Sequence, residues 1–357
     1  MSSPLPNETL SAIFENVQPH ALTHLLRVSR RFSLIAERIL YSTIVIFETL
    51  PRSAPVPYKT ARCCKTILQR PHLAEVVKKF SIRWQTDSGP RDEYMPTISP
   101  RGILDECGFP ALRVFALSGV GRGSLPAKFH PTPTPPIEWF LAATPSILHL
   151  RLTDYHEPMH LTPGDLPHLA SFRGPAIAAG SVLPGRPVQL LGLVGHEFVT
   201  VGDLARMAQT SAPLRRLDLS AMSVTPLLLR DVAAHLSGVV SLRVRLALRH
   251  TLHFSLSGIV SSPLCPLPAR LTLGAQSLLA GLTPVLGAFA ALRELDLSPT
   301  SIDGIGPGNA LEEQTLCATW GRGCPSLHQV IFPSKTEWTL SPEHVWIPHP
   351  APSYSRS

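Results

Sequence analysis

Residues 211–220 read SAPLRRLDLS, and residues 289–298 read FAALRELDLS. In the first, Leu214 is followed by two variable residues, Leu217, one variable residue and Leu219. Leu217 and Leu219 alternate with polar neighbours. Side chains of a strand point to opposite faces with period two, so this alternation predicts a short strand with one buried face. Leu292, Leu295 and Leu297 repeat the pattern.

The template also appears at Leu112/Phe115/Leu117, Ile147/Leu150/Leu152, Val188/Leu191/Leu193, Val239/Leu242/Val244 and Leu327/Val330/Phe332. Weaker copies stand at Leu169/Phe172 and Leu271/Leu273. Several copies are introduced by a small or Pro residue, as in FPALRVFAL, TPSILHLRL and CPSLHQVIF. Helical stretches intervene, among them VGDLARMAQTS, TPLLLRDVAAHLS and NALEEQTLCATW. Units of strand, turn and helix stack when the strands are parallel and the helices lie on one side. The spacing brackets the roughly 20 to 29 residues of a leucine-rich repeat. The chain resembles a degenerate leucine-rich-repeat protein, with few of the Asn residues that ladder such repeats. The fold class expected is α/β, with a solenoid built on a curved parallel sheet.

In each unit the residues between the apolar positions face the other way. They make the candidate target-binding set Arg151, Arg216, Asp218, Arg243, Arg245, Glu294 and Asp296, to which the weak copies add Arg173 and Arg270. The expected pattern is basic in the middle of the ladder and acidic later, suited to a partner of complementary charge.

The N-terminus reads differently: LPNETLSAIFENVQPHALTHLLRVSRRFSLIAERILYSTI, residues 5–44. Pro6 suits a first helical position and Glu8 complements the helix dipole. Leu10, Ile13, Phe14 and Val17 follow as one apolar stripe, broken at Gln18–Pro19–His20. A second helix is expected from Ala21, with apolar residues from Leu22 to Leu40 covering about half its circumference at about 100° per residue. One neighbour cannot cover that much. The second neighbour is either the rest of this chain or another protein.

The succession of Leu-Pro-x-Glu, Ile-Phe, Leu-x-x-Val-Ser-x-x-Phe and Leu-Tyr in this stretch resembles an F-box. That resemblance implies a three-helix module docking on the Skp-type adaptor of a cullin-RING ubiquitin ligase. Residue by residue, it implies adaptor contacts at Leu5, Pro6, Leu10, Ile13, Phe14, Leu22, Leu25, Val28 and Phe32. Thr9 departs from the usual apolar residue, and Phe32 and Tyr41 stand where Trp is common.

Composition sets the remaining bounds. The 357 residues are 44% hydrophobic, enough for a substantial core. No basic segment leads into an apolar run and no window approaches a membrane span, so the expectation is a soluble intracellular protein. Six cysteines without a CxxC pair read as reduced, mostly buried thiols. The net charge of +7 is not clustered with aromatic residues, which argues against nucleic acid. HEPMH at residues 156–160 fits the zinc motif HExxH in letters, but Pro158 falls inside what must be a helix. SGVGRGS at 118–124 lacks the phosphate-loop Lys and Ser/Thr, and CCK at 63–65 has no neighbouring base.

The organisation expected is an F-box over residues 1–50, a linker and first repeat-like unit over 51–83, repeats over 84–332, and a Pro-rich tail over 333–357. The resemblance implies a non-catalytic substrate-recognition subunit, cytoplasmic or nuclear. Its expected partners are the adaptor, the ligase and a target, without cofactor, metal or membrane. The alternative is a leucine-rich interaction scaffold outside ubiquitination, its N-terminal helices capping its own core.

Overall fold

A computed structural model describes residues 5–50, 57–86, 104, 107–119, 137–195, 199–247, 279, 281–300 and 310–349. These residues form a mixed α/β fold. Its twelve described strands make a mostly parallel sheet, ordered as in the chain and not closed into a barrel. The chain divides into two compact units, residues 1–171 and 172–357.

The first unit opens with helices α1 (Asn7–Glu15), α2 (Pro19–Leu25) and α3 (Arg30–Ser42). The expected continuous second helix is thus two helices. Ser29 is extended, with φ −158° and ψ 161°, and its hydroxyl accepts the Phe32 N–H to cap α3. Leu10, Phe14, Leu22, Ile35 and Ala36 form the core of this bundle. The Phe14 and Phe32 rings meet edge to face at 5.2 Å. α3 runs straight into strand β1 (Thr43–Leu50), so the helical module ends at Ser42 and residues 43–50 belong to the sheet.

Helices α4 (Tyr58–Gln69) and α5 (Pro71–Ala74), strands β2 (Lys79–Thr86) and β3 (Val114–Ser118), helix α6 (Glu138–Ala142) and strand β4 (His149–Leu152) follow; β5 (Ser171–Gly174) lies at the unit boundary. β1 to β4 pair successively in parallel. Phe80, Phe109, Phe115 and Phe140 are fully buried and pack ring against ring behind the strands. Glu48 of β1 is also buried. Its carboxylate accepts the backbone N–H groups of Lys59 (2.7 Å) and Thr60 (3.3 Å), satisfying orphan donors at the start of α4. Trp84 Nε1 donates to Thr60 Oγ1 at 3.0 Å, completing a buried polar chain.

The second unit contains α7 (Ala176–Val182), β6 (Leu190–Val194), α8 (Val201–Met207), β7 (Arg216–Val224), α9 (Pro226–His235), β8 (Ser241–Leu246), α10 (Thr283–Leu286), β9 (Glu294–Asp296), α11 (Ala310–Gly323) and β10 (Gln329–Ile331). β6 to β10 are parallel. β11 (Glu337–Leu340) and β12 (Trp346–His349) then turn back antiparallel. These two strands occupy a segment expected as a Pro-rich tail. Trp338 and Trp346 are buried, and Trp338 Nε1 donates to the buried carboxylate of Glu313 on α11 at 2.8 Å. Ser334 Oγ donates to the same carboxylate at 2.6 Å.

Every apolar residue of the full template copies is buried. The Leu271/Leu273 copy lies outside the described residues; β8 pairs in parallel with β9. The register aligns template positions: Phe80, Phe115 and Leu150 are cross-strand partners in the first unit, and Leu217, Leu242, Leu295 and Val330 in the second. A shared backbone device accompanies them. The carbonyl of the residue just before a strand accepts two N–H groups from the next rung, as at Lys78, Arg113, Arg215, Val240 and Arg293. The Ser of the two PS introductions has a defined role: Ser146 Oγ donates to Leu112 O (2.9 Å) and Ser326 Oγ to Leu292 O (2.8 Å).

Candidate interaction surfaces

Two surfaces carry the residues singled out in the sequence. On the helical bundle, the nine adaptor candidates separate by depth. Leu10, Phe14 and Leu22 lie in the bundle's own core and are not surface positions; Leu25 and Phe32 are half-buried against it. Leu5, Pro6, Ile13 and Val28 are exposed, with Leu5 at 51%, Ile13 at 47% and Val28 at 62% of their surface. Leu34, not among the candidates, is 66% exposed. Splitting the expected second helix at Ser29 leaves Val28 exposed although a wheel drawn through the break puts it in the apolar stripe, whereas Leu34 falls among the arginines on that wheel too.

The entry to α1 is fixed by an arginine of α3. Arg31 on α3 donates to the Asn7 side chain at 2.7 Å and to the Leu5 carbonyl. Further along α3, Glu37 pairs with Arg70 at 2.9 Å, tying the bundle to the residue between α4 and α5.

The second surface is the strand face away from the buried template positions. In the second unit Gly192, Asp218, Arg243 and Asp296 share one cross-strand row. Arg173 donates to Asp218 at 2.9 Å, and Arg243 pairs with Asp296 at 3.1 Å. Gly192 permits the first pair: a Cβ there would lie 3.1 Å from Arg173 Cγ. Within this row the register sets opposite charges within reach, so part of the expected succession from basic to acidic is drawn into two ion pairs. Arg216 is exposed and Glu294 half-buried in the adjacent row. Arg245 is half-buried with an unpartnered buried Nε. Arg270 lies outside the described residues. Arg151, in the first unit, is exposed.

Burial raises the Asp218 carboxyl pKa, but the Ser220 hydroxyl and N–H and the Arg173 charge outweigh it and hold the group below the usual carboxylate range. Asp203 behaves likewise, burial being overcome by Thr200 and Arg206 around the capping box of α8. Cysteine chemistry runs the opposite way. Burial pushes the Cys63 thiol up to about 11, with Cys107 adding to the shift. Burial likewise raises Cys317. Cys64 is raised first by its hydrogen bond with Cys107, then by burial. None of these three is poised as a thiolate at neutral pH.

The HEPMH segment is a non-helical connection between β4 and β5, in which Met159 is buried and the His160 N–H donates to Glu138 at 2.6 Å. Among the described residues no group of three or more His, Cys, Asp or Glu side chains converges on a common point. No described helix is long and apolar enough to cross a membrane. Of the SGVGRGS segment only Ser118 and Gly119 are described. Gly119 has φ +83°, and a Cβ there would strike the Trp84 carbonyl, so this glycine serves the turn after β3. Its N–H donates to Asp154 at 2.6 Å.

No protein-family model matches the chain, and no curated protein matches it.

Proposed function

We propose that the chain is a substrate-recognition subunit of a cullin-RING ubiquitin ligase, of the F-box and leucine-rich-repeat kind. α1 to α3 would dock on a Skp-type adaptor through Leu5, Pro6, Ile13, Val28 and Leu34, and the strand face would hold a target. The mechanism is tethering. Holding a target beside the ligase's charged ubiquitin carrier raises its effective concentration, and the chemistry belongs to other subunits. Such a subunit works in the cytoplasm or nucleus.

The observation that carries this reading is that the bundle has a completed core and still leaves five apolar or Pro side chains uncovered at its surface. Large apolar side chains left exposed on a module whose own core is complete are what an interaction site needs. Co-expression of the full chain with a Skp-type adaptor, followed by co-purification, tests it.

A second reading is favoured by one feature: α3 passes without a break into β1 and is tied by Glu37 to Arg70. On that reading the helices cap the sheet of a scaffold and bind no adaptor. Absence of co-purification with any Skp-type adaptor supports it.

A further inference from the structure

We infer that the open strand face of the first unit, across β1 to β4, is a docking surface for an acidic polypeptide segment. The inference rests on the reading above that the strand face holds a target, and it names the target's chemistry and the rungs that take it.

Three cations lie on this face. The register places Lys79 beside Thr43, Arg83 beside Phe47, and Arg151 in a row with Ala116, Ser81 and Val45. All three cations are exposed. Among the described residues Lys79 and Arg151 have neither ion pair nor hydrogen bond to a side chain, and Arg83 rests its guanidinium over the Phe47 ring at 5.7 Å. No Asp or Glu stands on the described positions of the face. The Asp154 carboxylate, just after β4, accepts the Gly119 N–H and the Thr153 hydroxyl.

The contrast with the second unit gives this arrangement its meaning. There the corresponding positions bring Arg173 to Asp218 and Arg243 to Asp296, so two of the four cations on the face are paired, while Arg216 and Arg245 have no ion pair among the described residues. Among the described residues, the first unit pairs none of its three face cations with a carboxylate. Small side chains, Ser81 and Ala116, floor the space between Val45 and Arg151. Adjacent strands are about 4.8 Å apart, so that row spans about 14 Å, enough for one polypeptide segment lying on the sheet. Val45 and Phe47 are 65% and 48% exposed and supply an apolar margin along β1. A segment with several Asp or Glu residues and an apolar anchor complements both features.

The test uses the full chain and a fluorescently labelled poly-L-glutamate of about twenty residues, with binding followed by anisotropy at low and moderate salt, because exposed charge pairs are screened within about 10 Å at 0.1 M. The expected result is binding that Arg83→Glu with Arg151→Glu weakens about tenfold or more, while Arg83→Lys with Arg151→Lys retains it. A charge-matched reversal in the second unit, Arg215→Glu with Arg230→Glu, both exposed, should leave affinity within about twofold. Equal loss from both reversals would mean diffuse attraction by the net charge and would overturn the inference. So would absence of binding at low salt, or tighter binding of a single-stranded DNA of equal charge. Adaptor co-purification measured on the same variants separates the two claims. Its loss with poly-glutamate binding intact strikes the adaptor reading alone, and the reverse strikes this one alone.

Discussion

Glu48 has only 6% of its surface exposed, yet it reaches from a strand to the first N–H groups of α4. A charged acceptor placed there offsets its own desolvation only while those donors are present. Glu48→Ala should lower stability by about 1 to 3 kcal/mol, the cost of leaving buried donors unmet. Chemical denaturation would show it, and a change under about 0.5 kcal/mol would mean that water reaches the α4 terminus freely. Asp218 makes the corresponding point for pH. Its folded pKa is depressed, so its contribution is complete above the unfolded carboxylate value of about 3.9 and is lost as pH falls through the folded value. Melting temperatures between pH 7 and pH 2 should fall at the acid end, and Asp218→Asn should make that acid loss smaller. An identical acid slope in the variant would show that the Arg173 and Ser220 contacts do not form in solution.

At the scale of single elements, the rung is the unit that repeats, and Ser146 and Ser326 show how one rung grips the previous one. Each hydroxyl donates to the carbonyl of the first template residue of the preceding rung. Ser146→Ala and Ser326→Ala should each cost about 1 kcal/mol, and should add when combined because the sites share no partner. The PS introductions were visible in the sequence, but their reason was not, since the acceptor lies more than thirty residues away. The break before α3 was hidden for a different cause. Apolar residues continue on both sides of Ser29, so a helical pattern runs through it, and only the capping geometry reveals the stop.

Across the whole molecule, what could be read in advance was what depends on local alternation. Strand faces follow from period two, and the full template copies are buried without exception. What could not be read depends on partners distant in sequence. The pairing of Arg173 with Asp218 requires the register of three strands and the missing side chain of Gly192. The hairpin of β11 and β12 is hidden behind Pro-rich composition, although Trp338 and Trp346 signal that something there is buried. On the bundle, the apolar surplus was legible, but its division into core and surface was not: Leu10, Phe14 and Leu22 face inward while Ile13, Val28 and Leu34 face out.

That division makes the central claim measurable. Titration calorimetry of the purified chain with a Skp-type adaptor should give saturable binding, and Ile13→Asp with Val28→Asp should abolish it while leaving the melting temperature nearly unchanged, since exposed substitutions cost little stability. Interface anchors of this kind are worth about 2 kcal/mol or more each. Undiminished affinity in that double variant, or no heat of binding from the unaltered chain, would contradict the account.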